Sequence, residues 1–184
     1  MKNKNYITLA KKAADIQISE LRKIKKIFNT NFIKAVDLII NCKGKVIFAG
    51  IGKSGLIARK ISATFSSVGI PSFFCDPAQA LHGDMGQIEK KDILVIFSYS
   101  GNTSELTNML KYANRYRIKV IGVASKTDSL LLKASDIKLL LPAVKESDVT
   151  GLVPTTSTSI TLLLGDCLAT TVMAKKKFSK EKFK

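Results

Sequence analysis

The sequence predicts a doubly wound α/β sandwich, and three observations predict it. Five short runs are apolar or nearly so: Val46–Ala49, Ser72–Cys75, Ile93–Phe97, Val120–Ala124 and Ile137–Leu141. Stretches with helical spacing alternate with these runs. Glycine- and serine-rich loops follow the first and third. Strands without polar alternation belong to parallel sheets covered by helices on both faces. At 184 residues the chain suits one domain. It reads as N-terminal helices over 1–43, an α/β core over 44–174 and a basic tail over 175–184.

Each element has its own signal. Leu9, Ala13, Ile16, Leu21, Ile24 and Phe28 recur at near-helical spacing with lysines between them, which predicts a long first helix. Asn29–Asn31 breaks that pattern, and Phe32–Cys42 resumes it before Gly44. A third helix runs to Val68, where Gly69 is a natural stop. Further helices are expected over Thr103–Tyr116, Ser129–Ala134 and Thr155–Ala174. The segment between the second and third strands reads as a long loop.

Composition excludes several classes of function. Hydrophobic residues make up 46% and charged residues 24%, which argues against disorder. No uninterrupted apolar run reaches the roughly 18 residues of a membrane span, and charges within residues 1–16 argue against a secretory signal. Three cysteines, Cys42, Cys75 and Cys167, are odd in number and lack CxxC spacing. They predict neither a disulfide framework nor a cysteine zinc site, and place the chain in a reducing cytoplasm. The net charge is +16, with +7 in residues 1–34, +5 in 175–184 and only +4 between them. That excess reads as solvated helix faces and a tail. A nucleic-acid surface would gather cations and exposed aromatics on one face.

In doubly wound folds ligands bind where loops leave the carboxyl ends of the strands. After the first strand, Gly50, Gly52 and Gly55 match GxGxxG, with Asp76 placed like a ribose-binding acid. A Walker A loop would need glycine at Ile47. Three readings stay open here: a dinucleotide site, a phosphosugar site, or glycines that pack a helix against a sheet. Lys53 favours a site where anionic charge develops. After the third strand, Ser98, Ser100, Thr103 and Ser104 surround Gly101 before a helix. A helix cap needs one hydroxyl; four of them, with free helix N–H groups, predict a phosphate cradle.

GKSG and SYSGNTSE, in this strand–loop–helix order, resemble the sugar isomerase (SIS) domain, which binds phosphosugars. Pro71–Phe74, Pro77–Ala78, His82-Gly-Asp-Met-Gly86, Lys145-Glu146, Gly151–Thr158 and Gly165–Ala169 further resemble the arabinose 5-phosphate isomerases. The similarity extends from Tyr6 to about Lys182. It implies a flavodoxin-like three-layer α/β/α sandwich with a five-stranded parallel sheet, assembled as a homotetramer. It also implies interconversion of D-ribulose 5-phosphate and D-arabinose 5-phosphate through an enediol, for Kdo in lipopolysaccharide or capsule, without a cofactor. Lys53, Glu105 and Glu146 match catalytic positions, and His82, the only histidine, is the further catalytic candidate, for ring opening or hydroxyl recognition. Gly52, Ser54, Ser98, Ser100, Gly101, Thr103, Ser104, Thr155, Thr156 and Ser157 are the implied substrate contacts. Asp76 stands where many relatives carry a potentially zinc-binding histidine, so no metal site is implied. The family's HPGG histidine and its CBS pair have no counterpart up to Lys184.

The chemistry matches the residue types. Moving a proton between adjacent carbons needs a base, a proton donor and stabilisation of developing negative charge. Glu146 lies just past the fifth strand and Glu105 opens a helix, both at carboxyl ends. Their plain alternatives are a solvated loop acid and a helix cap; for His82 it is a hydrogen bond near Asp84. The alternative functions are a regulatory phosphosugar-binding module without turnover, or an isomerase of another sugar phosphate.

Overall fold

The structure, a computed structural model, describes residues 2–177, so most of the basic tail expected at 175–184 lies outside the described residues. Helix α1 (Lys2–Leu21) leads into a 3₁₀ turn over Arg22–Ile27, and α2 follows (Thr30–Ile40). The Asn29 side chain accepts the Asn31 N–H at 2.9 Å. The stretch that reads as a break is therefore the cap of the second helix. Next come β1 (Val46–Gly50), α3 (Gly52–Ser67), β2 (Ser72–Phe74), α4 (Pro77–Ala80) and β3 (Ile93–Phe97). After them run α5 (Leu106–Tyr116), β4 (Lys119–Ala124), α6 (Leu130–Ala134), β5 (Ile137–Leu140) and α7 (Thr156–Lys175).

All five strands join one parallel sheet in the order β2-β1-β3-β4-β5, the flavodoxin-like order. β1 and β3 are buried at every position. Alternate residues divide between two cores. Phe48, Val95, Phe97 and Val123 meet α2, α3 and α7 on one face. Ile47, Leu94, Ile96 and Val120 meet α5 and α6 on the other.

Three local features depart from the sequence expectations. The supposed loop after β2 contains α4, started by Asp76, whose carboxylate accepts the Ala78 N–H at 2.9 Å with Pro77 at the first helical position. A 3₁₀ turn over Asp84–Gln87 follows. α5 begins at Leu106 rather than near Thr103, because Thr103–Glu105 form a separate turn.

α7 is long and apolar enough to cross a membrane by length and composition alone. Here it is a core helix: nine residues from Thr156 to Val172 are buried. A Cβ at Gly165 would run into the Ile61 side chain of α3, so these two helices meet in close contact.

The opposite, amino end of the sheet is tied by acids. Asp92 accepts the Lys45 N–H at 2.7 Å and the Glu89 N–H at 2.8 Å. Asp136 accepts the Val120 N–H at 2.9 Å and pairs with Lys119 at 2.6 Å. Burial opposes ionisation of Asp136, but its bonds to Lys119 and Val120 outweigh it and hold the carboxyl below its usual range.

Candidate active site

The strand order reverses between β1 and β3, which opens a crevice at their carboxyl ends. A cleft of about 530 Å³ lies there, walled by the loops after β1, β3 and β5 and by the first turns of α7. Lys53, Ser54, Ser100, Glu146 and Ser157 all line it.

The glycine loop acts mainly through packing. A Cβ at Gly55 would sit 2.6 Å from the Gly50 carbonyl oxygen, and one at Gly50 would sit 2.9 Å from the Ser54 carbonyl carbon. Both glycines thus bring α3 against β1. Gly52 has φ +56° and open space around its α-carbon, so its need is conformational. The turn leaves Lys53 and Ser54 facing the cleft.

The serine loop divides its hydroxyls between bracing and exposure. Ser98 is buried; its Oγ shares a 2.8 Å hydrogen bond with Thr103 Oγ1 and accepts the Gly101 N–H at 3.1 Å. Ser104 donates to Glu105 Oε2 at 2.8 Å. Asn102 Oδ1 accepts the Leu130 N–H at 2.9 Å, pinning the loop to α6. The Tyr99 hydroxyl accepts the Val144 N–H at 2.9 Å, which joins this loop to the one after β5. Among the four serine-loop hydroxyls only Ser100 lines the cleft.

Glu146 is held through one oxygen. Its Oε2 accepts the Thr155 N–H at 2.8 Å, the Thr155 hydroxyl at 2.9 Å and the Ser157 N–H at 3.2 Å. The carboxylate therefore satisfies the start of α7, where Thr155 makes no side-chain cap of its own. Burial works against ionisation, yet the hydrogen bonds from Ser157 and Thr155 prevail and lower its pKa from the ordinary glutamate value. Nearby, Asp148 accepts hydrogen bonds from the Thr150 side chain and N–H and from the Val153 N–H, which shape the loop beneath Gly151 and Leu152. Those bonds, led by the Thr150 hydroxyl, pull the Asp148 pKa down to about 2.

The remaining predicted residues lie outside the cleft lining: Gly52, Ser98, Gly101, Thr103, Ser104, Thr155 and Thr156, together with Glu105 and His82. Glu105 is exposed at the residue before α5, and its pKa is lowered by its own backbone N–H and the Ser104 hydroxyl. His82 is exposed in the turn after α4. Thr156 is fully buried, and its hydroxyl has no hydrogen-bond partner among the described residues. Sequence reasoning missed Tyr99 and Thr161 as lining residues. Thr161 sits four residues after Ser157 on the same face of α7, a spacing that could have found it. Among the described residues no group of three His, Cys, Asp or Glu side chains could hold a metal ion.

A parallel sheet of this order, with a cleft at its reversal lined by Lys53, Glu146 and several hydroxyls, defines a doubly wound α/β domain built to hold a small ligand. The SIS domain family model matches residues 38–171, and the chain belongs to that family. The chain is 39% identical over 163 residues to arabinose 5-phosphate isomerase KdsD of Shigella flexneri, covering 89% of this chain and 50% of that protein. A probable arabinose 5-phosphate isomerase of Haemophilus influenzae is 36% identical over 179 residues, covering 97% and 53%. The chain thus spans about half the length of these relatives. Among solved structures, E. coli CFT073 c3406 in complex with arabinose 5-phosphate matches with TM-score 0.95 and 33% identity, over 100% of this chain and 97% of that one.

Proposed function

We propose that the chain is a cofactor-independent aldose–ketose isomerase that interconverts D-ribulose 5-phosphate and D-arabinose 5-phosphate. The carrying observation is that Lys53 and Glu146 line one cleft with the Ser100 hydroxyl. Glu146 takes the proton from the carbon next to the carbonyl, and the Lys53 ammonium stabilises the enediolate oxygen. Ser54 and Ser100 offer hydroxyls to the phosphate. Glu105 serves as the second proton-transfer group and His82 assists ring opening. Both are exposed but lie outside the cleft lining, so these two roles rest on the family resemblance. The product would feed Kdo synthesis, and the working form would be a homotetramer. The similarity to KdsD and to a structure holding arabinose 5-phosphate supports this reading.

Incubation with ribulose 5-phosphate should yield arabinose 5-phosphate, followed by NMR. A second reading, binding without turnover, draws on Glu146 itself, whose hydrogen bonds also fit a purely structural helix cap. Saturable binding of arabinose 5-phosphate with no interconversion would select it.

A further inference from the structure

Helix α1 lies outside residues 38–171, the span of the family match, yet it grips the loop that carries Glu146 on both sides. Gln17 Nε2 donates to Ser147 Oγ at 3.2 Å, and Gln17 Oε1 accepts the Ser159 hydroxyl of α7 at 2.9 Å. One turn later, Glu20 Oε2 accepts the Lys145 N–H at 3.0 Å. Lys23 then pairs with Glu20 at 2.6 Å and reaches the Ala143 carbonyl at 3.4 Å. Gln17 and Glu20, three apart, share a face of α1, and Lys23 follows from the adjoining 3₁₀ turn. The bonds land on the Ala143 carbonyl, the Lys145 N–H and the Ser147 side chain, so the contacts flank Glu146 on both sides. Ser147 is further tied to the Thr155 hydroxyl, the same hydroxyl that donates to Glu146.

We infer that Gln17 and Glu20 are positioning residues for Glu146: they hold the 143–147 segment so that the carboxylate keeps its hydrogen bonds to Thr155 and Ser157 while facing the cleft. A helix that merely covered the core would need only its apolar side for that. The partly buried polar bridge from α1 to this one loop has a geometric product, the orientation of one carboxylate. Misplacing a reacting group by about 1 Å can cost about a hundredfold in rate. Several charges share the surroundings: Lys53 across the cleft, and Lys145, Asp148, Glu20 and Lys23 around the loop.

The inference rests on the isomerase reading only for its rate measurement, because a second readout is independent of turnover. Glu146 carboxyl titration by ¹³C NMR, in Gln17→Ala, Glu20→Ala and Glu20→Gln, follows the hydrogen bonds directly. Gln17→Ala changes no charge and should raise the Glu146 pKa toward the ordinary glutamate value. Glu20→Ala and Glu20→Gln lose the same charge, but only glutamine keeps an acceptor for the Lys145 N–H. The Glu146 pKa should therefore be higher in Glu20→Ala, and Glu20→Gln should recover most of the wild-type rate. In turnover, Gln17→Ala and Glu20→Ala should lower kcat about tenfold or more with KM within about twofold. Thermal unfolding identifies variants that fail to fold, in which case Gln17→Ala carries the test. A wild-type Glu146 titration and kcat in folded Gln17→Ala would overturn the inference. An inactive wild type with a shifted titration would overturn the isomerase reading alone.

Discussion

Three hydrogen bonds on one oxygen of Glu146 stabilise its anion, and a stabilised anion is a weaker base. The same bonds keep it ionised throughout the neutral range, which a base must be. Its pKa is depressed, so activity should persist down through the ordinary glutamate value of 4.5 and fall only below it. The acid limb of a kcat/KM profile checks this. Glu146→Gln keeps the shape but cannot take a proton, so turnover should drop about 10²–10⁴-fold while calorimetric binding stays near wild type. The two loop serines should separate cleanly. Ser100→Ala removes a cleft hydroxyl and should weaken pentose 5-phosphate binding about tenfold or more, while losing its exposed 3.3 Å bond from the Asn102 N–H should cost little stability. Ser98→Ala removes the partner of the Thr103 hydroxyl and one of two acceptors of the Gly101 N–H, which keeps the Ser98 carbonyl at 3.0 Å, so it should cost about 0.5–1.5 kcal/mol in denaturant unfolding. The sequence alone cannot tell these hydroxyls apart, because both flank the same tyrosine; only the fold turns Ser98 inward.

At the level of elements, the glycine loop shows where sequence reading stops. GxGxxG has the same spacing whether its glycines admit a phosphate or a neighbouring backbone. Here Gly50 and Gly55 face protein backbone, and Gly55→Ala should destabilise the fold by about 1–3 kcal/mol as α3 is pushed off β1. Thermal melts of that variant measure it. The central strands β1, β3 and β4 are legible because a doubly buried strand carries its signature in four or five consecutive residues, whereas the edge strands β2 and β5 stay partly exposed. α4 is not legible: its signal is one aspartate and one proline, easily absorbed into a loop. The bridge from Gln17 to Ser147 joins residues 130 apart in sequence, and no local pattern encodes such a pair. Glu146 and Lys53 could be singled out as residues, but their shared cleft is a product of the strand order.

For the whole molecule, the exposed apolar residues of α1 bear on assembly. Tyr6, Ile7, Leu9 and Ile18 remain 67%, 58%, 47% and 56% exposed in the single chain. Burying such side chains against another subunit is favourable, and light scattering at micromolar concentration should report a tetramer. A monomer would remove that proposal and leave the cleft chemistry standing. The sheet itself has two unlike ends. At one, Asp92 and Asp136 stitch neighbouring strands together through backbone N–H groups; at the other, loops of differing length surround the cleft. Substitutions at the cleft-facing side chains of those loops leave intact the stitches that keep the strands in register. The room for change is therefore uneven: at the cleft end it is confined to side chains such as Lys53 and Ser100, whose neighbours in the same loops hold the fold.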